Sequence, residues 1–232
     1  MKKLNILKLN KFFFEFLSIF FAVTFAFLLN NWNDNRKDKI VEKKILLEIY
    51  NGLERDSLDL ASDEKFLEQF NIKSINYFIK VINNIPVEND TLPMFYHFLT
   101  RDFITIQNTS GYQTLKSKGL ETIKNDSLRR SIIDMYEVNY ELYRKFSEEY
   151  DENKYMRNYF GIINEILSAK FIFDTNGKLV GINQPINLNE KDKNLISSYL
   201  WKLNVNRLDR LGAIKGNKKS IGDLRKHIKQ NL

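Results

Sequence analysis

The side chains that most often carry chemistry are scarce in this 232-residue chain. It has two histidines, His97 and His227, and no cysteine. That excludes a disulfide framework, a thiolate metal centre and a cysteine nucleophile. Multi-histidine metal sites and most histidine-based catalysis are equally hard to build. His97 stands in the aromatic run MFYHFLTR and reads as a packed or surface residue. Acid pairs such as Asp63-Glu64 and Glu148-Glu149 are sequence neighbours, which point apart on a helix and suit solvated faces rather than a facing dyad. Asp174-Thr175-Asn176-Gly177 resembles the start of a calcium loop, but Pro185 occupies the position that needs a bidentate acid. No P-loop, GxGxxG, HExxH or GxSxG is present. The expectation is a chain with no enzyme activity, metal or cofactor.

Three features remain that could do physical work. Glu15 is an acid about one turn inside an apolar run, which suits either a proton or ion site in an oligomer or a carboxylate paired with Lys11 at i−4. Tyr136, Tyr140, Tyr143 and Tyr159 form a stripe that is either core packing or the lining of a ligand cavity. The third is charge. Residues 1–44 carry nine Lys/Arg against four acids and residues 207–232 carry eight against two, while residues 45–206 carry 19 against 23. Basic ends around an acidic middle suit a chain whose two ends meet an anionic surface. Residues 215–230 lack interleaved aromatics, so phospholipid or an anionic partner fits better than nucleic acid, and no nucleic acid is expected.

The element that must position Glu15 is residues 12–29, FFFEFLSIFFAVTFAFLL, in which only Glu15, Ser18 and Thr24 are polar. Eighteen residues of helix span about 27 Å, close to the ~30 Å hydrocarbon core of a bilayer. Lys8 and Lys11 precede the run; Asn30, Asn31, Trp32, Arg36 and Lys37 follow it, with Trp32 where interfacial aromatics lie. The reading is an uncleaved membrane anchor over 12–32, contacting the lipid bilayer. A buried core helix and a cleaved signal peptide are the alternatives; Asn-Asn-Trp is a poor cleavage site. The flanking charges nearly balance, and the short tail favours a cytoplasmic N-terminus with the bulk outside.

Two blocks carry a resemblance. Glu15, the apolar run and Asn30-Asn31-Trp32-Asn33-Asp34-x-Arg36-Lys37 form the first. Ser110-Gly111-Tyr112-x-x-Leu115, Gly119-Leu120-x-x-Ile123-x-Asn125-Asp126-x-Leu128-Arg129 and Tyr136-Glu137 form the second. Together they resemble an uncharacterised family of bacteroidete-type single-pass membrane proteins. The chain departs from that family at Phe20-Phe21-Ala22, where relatives often carry aliphatic residues and a glycine. The resemblance implies an anchored helical protein of a bacterial inner membrane and implies no activity. Asp56-Ser57-Leu58, Asp90-Thr91-Leu92 and Asp126-Ser127-Leu128 match a tripeptide at which some such bacteria O-glycosylate exported proteins, which favours a periplasmic bulk.

The remaining elements follow from periodicity. After a basic tail (1–11) and the anchor, residues 33–84 read as a helical stalk, with Ile45, Leu46, Ile49, Leu53, Leu60, Leu67 and Phe70 on a narrow seam. Asp56-Ser57 or Ser62-Asp63 could interrupt it. Residues 85–125 read as loops and short helices, and 126–170 as a second long helix, capped by Asn125-Asp126-Ser127 and paired antiparallel with the stalk. Residues 171–188 read as a β-hairpin around Asn176-Gly177. Residues 189–232 read as C-terminal helices broken at Gly212 and Gly216, with a basic end. The predicted fold is mainly α, an anchored stalk and helical bundle with one small hairpin. The predicted function is a structural or interaction module of the envelope, within a homo-oligomer or membrane-protein complex. The alternatives are a ligand-binding sensor or effector and an ion-conducting homo-oligomer.

Overall fold

The computed structural model describes the backbone of residues 2–232 except Ile104, and side chains from Phe12 onward. The protein is mainly α-helical. Helix α1 (Lys2–Phe66) passes through a π-helical turn (Leu67–Ile72) into α2 (Lys73–Ile82). Neither Asp56-Ser57 nor Ser62-Asp63 interrupts it, because both acids find partners off the helix and do not compete for its backbone. From Phe12 to Ile82 the helix runs 71 residues, roughly 106 Å. Among the described side chains its first buried one is Ile45, thirteen residues and about 20 Å beyond Trp32.

Five shorter helices follow: α3 (Leu92–Leu99), α4 (Ser110–Lys118), α5 (Asp126–Ile133), α6 (Tyr140–Glu148) and α7 (Gly161–Ser168). Strands β1 (Phe171–Phe173) and β2 (Leu179–Ile182) pair antiparallel, with Phe171 opposite Ile182 and a bulge at Val180. Asp174 shapes the turn by accepting from the Asn176 and Lys178 amides, and Gly177 supplies the positive φ of 76°. Helix α8 (Glu190–Lys229) closes the fold, its N-cap Asn189 accepting from the Asp192 amide.

Helix α8, not the 126–170 segment, is the stalk's long antiparallel mate. Arg225 pairs with Glu54, Lys218 with Glu64, and Lys43 Nζ donates to the Leu232 carbonyl. Gly212 and Gly216 do not break α8. Each costs about 1 kcal/mol against alanine, but Ile196, Leu200, Leu203, Ile214, Ile221, Leu224 and Ile228 bury one continuous stripe along it. The 126–170 segment does break, at Tyr150–Lys154. Side chains there capture the carbonyls that a helix would use: Asn153 Nδ2 donates to Phe146, Asn158 Nδ2 to Asp151 and Asn206 Nδ2 to Glu152.

Two hydrophobic cores result. The proximal one joins α1 to α4, α5, α6 and the second half of α8. The distal one joins α2, α3, α7 and the hairpin to the first half of α8.

Candidate functional sites on the helical frame

The N-terminal helix is long and apolar enough to span a membrane, and none of its apolar 18-residue window is buried inside the protein. It is therefore not a core helix of this fold. Phe16, Phe20, Phe21 and Phe25 form a ladder of ring contacts along its surface. Glu15 stands exposed on the same helix; the Lys8 and Lys11 side chains lie outside the described residues. At the polar exit Asn30 Nδ2 donates to Asp34, Lys37 pairs with Asp34, and the Arg36 guanidinium lies 6.0 Å from the Trp32 ring. Asn31 is exposed beside them.

The two basic ends meet at one level of the stalk. Leu232 reaches Lys43, the Lys124 amide donates to Glu42, and Asn125 donates to Asn231. Lys226 and Lys229, in the last turn of α8, thus lie at the end of the domain that faces the apolar span.

The four tyrosines do not share a cavity. Tyr136, Tyr140 and Tyr143 belong to the proximal core and Tyr159 to the distal one. Tyr136 stacks on Tyr112 at 4.6 Å and meets Tyr140 edge-on at 5.2 Å. Tyr140 donates to Asp56 Oδ2 at 2.6 Å, and the Asn108 amide donates to Asp56 Oδ1 at 2.7 Å. Burial pushes both Tyr140 and Asp56 above their ordinary pKa values. The Tyr159 hydroxyl accepts from Asn206 and donates to the Glu152 carbonyl, at the break before α7. All four are buried, in two separate cores.

The second sequence block also has structural work. Gly111 seats α4 on Ile49 of α1, Tyr112 donates to Glu137, and Asn125 caps α5 by accepting from the Ser127 and Leu128 amides.

Sequence reasoning missed a polar seam between α1 and α8. Along α1 and into the π turn the inward residues are Leu46, Ile49, Leu53, Asp56, Leu60, Asp63 and Leu67, spaced alternately three and four apart. On α8 the same spacing includes Leu203, Arg207, Arg210 and Ile214. These acids and bases strap the segment 100–109 into the seam. Arg207, fully buried, pairs with Asp102 at 3.1 Å, donates to the Arg101 carbonyl at 2.8 Å and stacks 3.7 Å from the Tyr155 ring. Arg210 pairs with Asp102 and donates to the Phe103 carbonyl; Thr105 donates to Asp63. Desolvation raises Asp63 to about 6, opposed by the charge of Arg210. Asn71, buried in the π turn, donates to the Phe98 and Arg101 carbonyls.

An open cleft of about 610 Å³ lies at the distal end. Its first wall is one face of α3 and the residues after it: Pro93, Tyr96, His97, Thr100 and Arg101. The second wall, Met156, Phe160, Asn164 and Ser168, repeats every four residues along a separate π-helical turn (Met156–Phe160) and α7. Phe171, Phe173 and Leu179 of the hairpin close one end. Tyr96 donates to Asn164 across the base, and burial raises its hydroxyl to about 12. Arg101 Nη1 lies 2.7 Å from His97 Nε2 at the rim.

Fold and surface together define a helical protein with one membrane-length apolar helix, a polar seam and a distal apolar cleft. Comparison with family models, curated proteins and solved structures finds no match to this chain.

Proposed function

We propose that this is a single-pass inner-membrane protein, anchored by residues 12–32, that holds a helical interaction domain at a fixed distance from the bilayer. The observation that carries the reading is the single helix running from the exposed apolar span to the domain's distal core. A helix of that length transmits position and rotation from bilayer to domain without a flexible linker. The N-terminus is cytoplasmic and the bulk periplasmic; the domain works as a structural or interaction part of an envelope oligomer or complex. Convergence of the basic ends beside Lys43 gathers cationic side chains at the end of the domain that faces the apolar span, which suits contact with an anionic surface. A polar seam suits a domain that must keep one register, since buried polar groups at seam positions specify alignment.

The cysteine-free sequence makes the test direct. A topology reporter fused after Leu232 should be active only in the periplasm, and a cytoplasmic signal overturns the orientation. Asn31→Cys should give a discrete crosslinked species in intact membranes. A strictly monomeric, partner-free protein overturns the interaction reading. The distal cleft favours a second reading, a ligand-responsive member of the same class.

A further inference from the structure

We infer that the distal cleft is a binding site for a small apolar carboxylate. Its volume of about 610 Å³ lies within the 300–1,000 Å³ usual for small-molecule sites. The lining is aromatic and apolar, with Phe160, Phe171 and Phe173 around Tyr96, and it contains no acid. The ionisable groups at its rim are Arg101 and His97. Arg101 has no carboxylate within ion-pair reach among the described residues, whereas the neighbouring Asp102 is committed to Arg207 and Arg210. An apolar cleft with one uncompensated guanidinium at its mouth is complementary to an apolar body ending in an anion, and a guanidinium binds a carboxylate through paired N–H donors.

The cation is also pre-positioned. The Arg101 carbonyl accepts from buried Asn71 and buried Arg207, at 2.8 Å each. Its backbone is thus fixed from the π turn of the stalk on one side and from α8 on the other. Only the side chain orders on binding, which keeps the entropic cost small. The inference concerns the soluble end of the domain and is independent of which side of the membrane that end occupies.

The probe is 4-phenylbutyrate, with 4-phenylbutanol as its uncharged match, added to the full chain in zwitterionic nanodiscs carrying 13C-methyl methionine. Met156 lines the cleft and Met135 is buried in the proximal core, so one reports and the other is an internal control. The Met156 resonance should shift saturably with the carboxylate while Met135 stays fixed. The carboxylate should bind about tenfold more tightly than the alcohol. Arg101→Gln keeps the backbone bonds, and it should reduce carboxylate affinity to the level of the alcohol while leaving the alcohol unchanged. Absence of a saturable Met156 shift overturns the site. Equal affinity for acid and alcohol, or an Arg101→Gln variant that still prefers the acid, overturns the assignment of a carboxylate.

Discussion

Gly111 offers the sharpest test of how the domain is assembled on its stalk. A Cβ at this position would lie 2.8 Å from the Ile49 amide nitrogen, 2.9 Å from Ile49 Cγ1 and 3.1 Å from the Glu48 carbonyl carbon. Carbon atoms rest at about 3.5–4.0 Å, and the obstacle is the backbone of α1, which cannot rotate away. Helix α4 must therefore retreat by roughly 0.7 Å to reach the near edge of that range. Retreat loosens the Tyr112–Tyr136 stack and the burial of Leu115. Overpacking costs about 1–3 kcal/mol, and a backbone obstacle places Gly111→Ala near the top, at about 3 kcal/mol. Gly212→Ala is the matched control: a Cβ there has no heavy atom within 4 Å, and the residue is exposed in mid-α8. It should stabilise by about 1 kcal/mol through helix propensity. The same chemical change thus moves stability in opposite directions, by about 4 kcal/mol in all. Urea unfolding of the full chain in detergent, followed at 222 nm, reads this. With a slope of about 2 kcal/mol per molar, the two midpoints separate by about 2 M. Coincident midpoints would refute the docking of α4 on α1; a destabilising Gly212→Ala would refute the continuous α8.

The remaining predictions concern the polar seam. Asp63 has a folded pKa of about 6, above the ~3.9 of an unfolded aspartate, so its contribution is fullest below pH 4 and is lost as pH rises through 6. Wild-type protein should therefore gain stability relative to Asp63→Asn between pH 7.5 and pH 5, and parallel pH profiles of the urea midpoint would contradict the burial of this carboxyl. Asp102→Ala leaves Arg207 and Arg210 without their carboxylate and should cost about 3–5 kcal/mol; Arg207→Met, which leaves Asp102 paired with Arg210, should cost less in the same assay, and the reverse order would count against the ion-pair geometry. Tyr140→Phe removes the donor to Asp56 Oδ2 and should cost about 1.5–3 kcal/mol, the range for a hydrogen bond to a charged group; an unchanged midpoint would show that the contact carries no energy.

What was legible in the sequence was local. The apolar run 12–29, the cap at Asn125 and the Asn-Gly hairpin are each written in a few adjacent residues. Two long-range features were not. The break at Tyr150–Lys154 contains neither proline nor glycine, and depends on Asn206, far along the chain, taking the Glu152 carbonyl. The continuity of α8 through Gly212 and Gly216 depends on the α1 surface that its buried stripe covers. Both outcomes are set by partners that a linear reading cannot place.

The polar seam is a different case, because its signal was present and could have been followed. The stalk's apolar positions Leu46, Ile49, Leu53, Leu60 and Leu67 already imply a three-four alternation, and that alternation has vacancies at 56 and 63. Both are aspartate. On α8 the alternation through Ile196, Leu200, Leu203, Ile214 and Ile221 has vacancies at 207, 210 and 217; the first two are arginine and the third is Asn217. Acids in the gaps of one seam and bases in the gaps of another predict that the two helices pair, and predict it against the Tyr-rich segment 126–170, whose gaps carry no such complement. The pairing is not side chain to side chain throughout. Asp56 accepts from Tyr140 and the Asn108 amide, while Arg207 pairs with Asp102 and donates to the Arg101 carbonyl but keeps a buried Nε without a hydrogen-bond partner. The charged gaps therefore do more than align two helices: they make room for the 100–109 strap, which then fixes Arg101 at the rim of the distal cleft. Buried charge is a costly way to hold two helices together, and its presence at Asp56, Arg207 and Arg210, beside half-buried Asp63, is best explained by what the strap positions.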